Sequence, residues 1–561
     1  MRSSCLVHWA SSLKTIIEAS FMCTKPDVIV VGAGLAGMSA AIAAAAQGAS
    51  VVVIDRGHGG GTSAVSGGVV YAGGGTRQQA IAGYGDDSPE NMCRYLALEV
   101  GSAVSDATLS TFCRESVHMI EWLESLGAKF EGTLCPFRTS FPTSQYSLYF
   151  SGNEKARPFS DVARPAPRGH RAVAAHQSGM SMTGRDLWQA VFESALHIGI
   201  KFHAASWVQE LRLDTRGAVG GIRFRVMSPD APLFRVHKAL TRNAAELHAM
   251  SMQPVAAVLD RIANFIWDRQ AKDEEMHSGA VILAAGSYIR DKGLSRQYIP
   301  WSYRVATLGT AGDDGGGIRL AQSVGAAVDF LNHSSVSRML YPPESLSEGI
   351  VVSPNGQRVA AEDLYGATMS RVLIEQHEGY GFLILDSDQW KRIKNQIATQ
   401  TETPWRYLIQ FIVYWGHKKG ATIERLAEKI GVDAQVMRTT IIAYNNAIIG
   451  RVPDPVGKIA YRSAIETGPF YSIDISLRRS GLMVSPAMGL GGVRTESSTG
   501  EVLDVAGAKI PRLYAAGKNA VGISSNKYIS GLALADCVFS GRRAGEHAST
   551  AIYSSESGSS L

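Results

Sequence analysis

Six consecutive residues, Gly32-Ala33-Gly34-Leu35-Ala36-Gly37, and one acid, Asp55, have the types and the spacing to hold a dinucleotide. Gly32 permits a tight turn, Gly34 lets a pyrophosphate approach the main chain, and Gly37 allows helix and strand to pack closely. The free N–H groups at a helix start would face the phosphates. Asp55 follows roughly 20 residues later, where a carboxylate can accept both ribose hydroxyls.

The elements that must position these groups are legible around them. Val28–Val31 and Val51–Ile54 are β-branched runs, the second closing on Asp55, and the stretch between them is alanine-rich and helical in character. Val28–Ile54 contains no charged residue and is long enough to cross a bilayer. Its four glycines, β-branched ends and small-residue middle fit a buried βαβ unit instead, so no transmembrane helix is expected.

With 561 residues, 45% hydrophobic and 19% charged, the chain can bury a large core and should divide into at least two domains. A net charge of +5 is spread over 55 basic and 50 acidic side chains, too evenly for a nucleic-acid partner. Six cysteines, Cys5, Cys23, Cys93, Cys113, Cys135 and Cys537, form no CxxC pair and no zinc spacing with the fourteen histidines, so no metal site is expected. Scattered reduced thiols point to the cytoplasm. Residues 1–26 read as an extension ahead of a translation start at Met22, as a targeting sequence or as an amphipathic flank; the serine-rich end, within 548–561, reads as a disordered tail.

Beyond Asp55 lies a glycine-dense loop, Arg56–Gly68, in which backbone must rest against something flat or anionic. Residues 106–128 carry helical periodicity, and a further helix starts at Thr183-Gly184. Pro136–Arg171, with Tyr146, Tyr149 and Phe150 among basic residues, either lines a pocket or forms a surface loop. Residues 232–277 read as a helical hairpin broken near Pro254, with apolar residues at helical spacing and Arg235, His237, Lys238 and Arg242 between them. That segment is a surface excrescence, a peripheral membrane contact or an oligomer contact.

These motifs together resemble the flavoprotein superfamily of fumarate reductases, succinate dehydrogenases and 3-ketosteroid dehydrogenases, over roughly residues 27–545. The resemblance implies an α/β fold: a Rossmann-like FAD-binding domain, discontinuous in sequence (27–300 and 485–547), and an inserted α+β capping domain (301–484). It also implies a set of FAD contacts beyond the first turn. These are Arg56, Gly61, Thr62, Ser63, Ser66, Gly67 and Gly68 in the loop, Val208 beside the adenine, Ala285 and Gly286, Asp314, then Gly517 and Lys518, and finally Gly531, Leu532, Ala533 and Leu534 at a helix start facing the flavin. Gly61 stands where succinate dehydrogenases carry the histidine that bonds covalently to FAD, which implies a non-covalent flavin and makes His58 a loop histidine.

Substrate class follows from departures within that resemblance. Fumarate reductases hold a dicarboxylate with arginines, and here Tyr528 and Tyr365-Gly366 occupy two of those places. The arrangement Tyr528-x-Ser530-Gly531 with a cap tyrosine is similar to bacterial 3-ketosteroid Δ4-(5α)-dehydrogenases, which implies Tyr528 as base, Ser530 as proton relay and Tyr365 as the third catalytic residue, with Tyr341 in reserve. A neutral phenol can hydrogen-bond a ketone while a phenolate takes the proton beside it. The implied reaction is α,β-dehydrogenation of a steroid or similar apolar ketone, with an external electron acceptor. Δ1-dehydrogenation, reduction of an enoate or enone, and flavin binding without turnover are the competing readings. Lys518, where many relatives place glutamate, and Ala285-Gly286-Ser287, where a Gly-Gly is frequent, are departures from the family pattern.

Overall fold

The computed structural model describes residues 25–174, 182–250, 252–338, 341–481 and 484–557. Nearly all of the 1–26 leader therefore lies outside the described residues. The strands β1 (Val28–Val31), β2 (Val51–Ile54), β3 (Lys201–His203), β4 (Ala280–Leu283), β5 (Glu501–Leu503) and β6 (Lys509–Ala515) form one sheet in the order β5-β6-β4-β1-β2-β3. All neighbours are parallel except β5 and β6. The strands β1, β2 and β4 are buried along their whole length, which is why they read as unbroken apolar runs: a parallel sheet is covered on both faces.

Alternate residues serve the two faces. Val28, Val30, Val51, Val53 and Ile282 pack with helix α1 (Leu35–Ala46) and the C-terminal helix Leu532–Ser557. On the other side Ile29, Ile54, Val281 and Leu513 pack with Val208, Ile222 and Phe224 of a second, antiparallel sheet. Small residues bring α1 and the C-terminal helix together: a Cβ at Gly541 would stand 2.4 Å from the Ala36 carbonyl oxygen, and one at Gly545 2.2 Å from that of Ala40.

The second sheet is built from Ser206–Leu213, Val219–Met227 and Ala271–His277. Helices α2 (Phe234–Ala249) and α3 (Gln253–Gln270) are inserted between its last two strands. The expected hairpin is present, but its final stretch, residues 271–277, is strand rather than helix. Ala271–His277 is an edge strand with mostly exposed side chains, so its pairing with Gly221–Met227 sets its conformation and no apolar alternation marks it.

A four-stranded antiparallel sheet, Ile350–Val352, Phe382–Leu385, Phe470–Asp474 and Lys418–Gly420, builds the region over the site. A change of domain at 301 comes too early, because Ile318, Leu320, Ala321 and Leu331 still pack in the same core as Ile29 and Leu283. Two further boundaries differ from expectation. The 106–128 helix breaks at Glu115 into Asp106–Arg114 and Ser116–Ser125, and the C-terminal helix runs on to Ser557 instead of fraying from 548. Ala544 and Ala548 pack in the main core and Ser549 Oγ donates to the Ala44 carbonyl at 3.2 Å, which anchors the last turns. No helix among the described residues is long and apolar enough to cross a membrane.

Candidate active site

The glycine turn is used as its spacing demands. Gly32 has φ of +106°, and a Cβ there would stand 2.4 Å from the Ala284 carbonyl oxygen; at Gly37 a Cβ would stand 1.8 Å from that of Gly32. Gly34 differs, since its Cβ position meets nothing closer than Ser63 Oγ at 3.6 Å. Gly32 and Gly37 are therefore glycines for the protein's sake, and Gly34 leaves room for a ligand. In the first turn of α1 the Leu35 N–H donates to Ser63 Oγ at 3.1 Å and the Ala36 N–H is directed at the Cys537 thiol, while Gly37 has no acceptor among the described residues.

Asp55 is more engaged than expected. Its carboxylate accepts from Ala33 N (2.8 Å), Gly57 N (2.8 Å) and Gly59 N (3.2 Å), so it shapes the loop that follows it in addition to its expected ribose contact. Arg56 pairs with Asp314 and stacks 3.9 Å over Trp207, which ties two expected FAD contacts to each other across the chain. The neighbouring Asp313 accepts from Thr62 Oγ1, from Thr310 N (2.8 Å) and from Ser287 N (2.9 Å), joining the loop to the turn at Gly286. Gly61 has φ of +48° with open space around its Cβ position; Gly67 and Gly68 are pressed against Phe141 and Thr183, and Ser66 Oγ donates to Ser63 O at 2.7 Å. Val208 has its side chain in the core with Ile54, which leaves only its main chain for the expected adenine contact. His58 turns away from the loop: its Nε2 lies 3.1 Å from His237 Nδ1 on α2, with the Phe234 ring edge-on at 5.0 Å.

At the far end, Gly517 (φ +59°) rests against Ala36 and Cys537, and Ala285 N donates to Asn519 Oδ1 at 3.3 Å, leaving the buried Asn519 Nδ2 without a partner. Lys518 Nζ donates to Ser524 Oγ at 3.1 Å; burial lowers its pKa and the Asp536 carboxylate raises it. Gly531 has φ of +92°, and its Cβ position lies 2.8 Å from Tyr71 N. The helix then starts at Leu532, and the N–H groups of Ala533 and Leu534 have no acceptor among the described residues. Two helix starts with free N–H groups, an open Gly34 and an orphaned buried amide fit a flavin dinucleotide.

Tyrosines converge at that second helix start. Ser530 Oγ lies 2.7 Å from Tyr149 Oη, and its contact with Tyr365 partly offsets the effect of burial on that phenol. Tyr365 and Tyr149 are both influenced electrostatically by Tyr528, so the three phenols lie in one neighbourhood. Burial holds Tyr365 and Tyr149 well above the ordinary tyrosine range. Tyr528 is pushed up to about 12, again by burial, with a hydrogen bond from the Gly531 N–H acting in the opposite sense. All three are neutral phenols at pH 7, able to donate, and Tyr528 carries the backbone donor that a phenolate requires.

The cap tyrosine is held from several sides. Tyr365 N donates to Asn153 Oδ1 at 2.6 Å, and Asn153 Nδ2 donates to Glu99 Oε1 at 2.6 Å. Asn526 Nδ2 donates to the Glu99 carbonyl at 2.9 Å, so one residue pair braces both the cap and the loop bearing Tyr528. Arg138 donates to Glu362 O and Leu364 O, each at 2.6 Å, and lies 4.0 Å over the Tyr341 ring. Tyr341 Oη accepts from Gly366 N at 3.2 Å, next door to Tyr365, so this reserve tyrosine buttresses Tyr365 in the structure. Tyr149, Asn153, Glu99 and Arg138 were given no individual role by sequence. The aromatic and basic composition of Pro136–Arg171 was the available signal for three of them.

A family model described as FAD binding domain matches residues 27–532. The 3-oxo-5-alpha-steroid 4-dehydrogenase of Comamonas testosteroni is 36% identical over 512 residues, 88% of this chain and 92% of that protein. The crystal structure of 3-ketosteroid-Δ4-(5α)-dehydrogenase from Rhodococcus jostii RHA1, in complex with 4-androstene-3,17-dione, superposes with a TM-score of 0.78 at 27% identity over 95% of this chain and 99% of that one. The 3-ketosteroid Δ1-dehydrogenase of Sterolibacterium denitrificans shares the fold, with a TM-score of 0.62 at 17% identity over 94% of this chain and 99% of that one.

Proposed function

We propose, for a chain that belongs to the FAD-binding-domain family of flavoproteins, that it dehydrogenates a 3-ketosteroid in the A ring, forming the Δ4 double bond from a 5α-reduced substrate. The observation that carries this reading is the contact of Ser530 with Tyr149 and Tyr365, two residues from Tyr528 and beside the start of the C-terminal helix, with no arginine among the described residues that contact that serine. A ring of neutral donors suits a ketone, whereas a dicarboxylate needs cations.

We assign the residues as follows. Gly32, Ala33, Gly34, Leu35, Ala36, Gly37 and Asp55 hold the adenosine diphosphate half of FAD, non-covalently. The loop to Gly68, the turn at Gly286, Gly517 to Lys518 and the N–H groups at Ala533 and Leu534 hold the rest. FAD supplies the two-electron acceptor for the hydride that leaves the substrate. Tyr528, neutral at rest, gives up its own proton through Ser530 and then accepts, as phenolate, the proton from the carbon beside the ketone; the Gly531 N–H favours that anionic form against the burial that disfavours it. Ser530 passes that proton on, because it is the group that touches the surrounding phenols. Tyr365, fixed by Asn153, sets the substrate against Tyr528. The electrons then pass to an external acceptor, and the protein works in the cytoplasm, beside a membrane surface.

Mixing the oxidised protein anaerobically with 5α-reduced and 4-ene 3-ketosteroids, while following the flavin absorbance, tests the reading. Bleaching by the 5α-reduced compound supports it. Bleaching by the 4-ene alone moves the double bond to Δ1, and bleaching by neither removes the steroid.

A further inference from the structure

The hairpin of α2 and α3 has two unlike faces. Inward, α3 buries Ala256, Ala263, Ile266 and Trp267. Outward, Val255, Val258, Ile262 and Phe265 recur at spacings of three and four residues and are 44% to 55% exposed, continued across the turn by Met250 and Met252. Such a stripe is the apolar face of an amphipathic helix that none of the described residues covers.

The unpaired charges on the two helices are of one sign. The hairpin's acids are each engaged: Glu246 with Arg185 and Arg242, Asp260 with His248 and Arg290, and Asp268 with Arg225. Arg235, Lys238, Arg261 and Arg269 are exposed and have no carboxylate partner among the described residues, and Arg269 lies 4.1 Å over the Phe265 ring. The hairpin is also fastened to the body, since Gln253 Nε2 donates to Thr307 O at 2.9 Å and His58 meets His237.

We propose that this face docks on the interface of an anionic phospholipid bilayer, its apolar stripe entering the acyl boundary and its unpaired cations facing lipid phosphates. A second copy of the chain is the poorer occupant, because it would bring an equal set of unpaired cations against the first. The inference stands on the hairpin's own surface and is independent of the identity of the substrate.

The test is co-sedimentation of the full-length, FAD-loaded protein with vesicles of phosphatidylcholine containing phosphatidylglycerol, and with vesicles of phosphatidylcholine alone. Binding to the anionic vesicles, weakened by salt and weaker on the neutral ones, is expected. The combined variant V258S, I262S and F265S should lose binding, and R261Q with R269Q should bind about fivefold more weakly per cation removed. Both should keep their flavin absorbance, since none of these residues touches the glycine turn or the tyrosines. Wild-type protein that stays in the supernatant with anionic vesicles overturns the proposal, as does equal binding by the serine variant. So does a dimer in sedimentation velocity that the serine variant dissolves while vesicle binding is absent, which assigns the face to a second copy.

Discussion

Tyr149 Oη and Ser530 Oγ stand 2.7 Å apart, although one lies on a short strand near the start of the chain and the other just before its last helix. Ser530 is thereby held by Tyr149, and its remaining hydrogen-bonding capacity reaches Tyr365. Removing the Tyr149 hydroxyl leaves Ser530 short of a buried partner, which costs about 1–3 kcal/mol. Tyr149→Phe should retain FAD and KM for the steroid but lower kcat about tenfold or more, with the loss read as a change in the pH dependence of kcat.

Tyr528→Phe removes the proposed base and nothing that holds the flavin. We expect a yellow protein with turnover reduced by about 10²- to 10⁴-fold. Full activity in steady-state assay would remove Tyr528 from that role.

Asn153 is a positioning residue, buried between Tyr365 N and Glu99. Asn153→Ala should lower kcat without altering the flavin spectrum, and Glu99→Gln, which preserves the shape of the brace, should be the milder change. A structural role alone would shift the melting temperature equally in both and leave the KM-to-kcat split untouched.

Glu154 is buried, with one carboxylate oxygen accepting from Gly152 N at 2.8 Å and the other unpartnered. Desolvation raises its pKa to about 7 from an ordinary 4.5. The folded state therefore binds this proton more tightly than the unfolded chain, and stability should fall as pH rises from 4.5 to about 7, by about 3 kcal/mol at most. Denaturant titrations at several pH values should show that slope, flattened in Glu154→Gln.

Gly34 and Gly37 separate ligand room from packing room. A Cβ fits at Gly34, whose nearest atom is 3.6 Å away, and cannot fit at Gly37, 1.8 Å from Gly32 O. Gly34→Ala should fold and lose FAD affinity on dialysis; Gly37→Ala should lose soluble, folded protein altogether, as judged by circular dichroism.

The dinucleotide half of the site was readable because its signal is local: turn, helix and acid lie within one supersecondary unit, so each glycine's role follows from its offset. The tyrosine trio was readable only by resemblance, since Tyr365 and Tyr528 lie far apart in sequence and nothing in their own segments shows that they meet. Tyr149, Asn153 and Arg138 act through contacts more than 200 residues away, a relation that no periodicity encodes. The same limit explains Ala271–His277: an exposed edge strand takes its conformation from a partner strand and carries no pattern of its own.

The place of β6 in the sheet has a consequence for synthesis. It pairs directly with β4, and the C-terminal helix lies on α1, yet both are synthesised long after β4 and α1. Until then β4 presents an open parallel edge and the glycine turn lacks the helix start that completes it, so the nascent protein carries an exposed strand edge and half a binding site at the same moment. Flavin capture is thereby tied to synthesis of β6 and the helix that follows it.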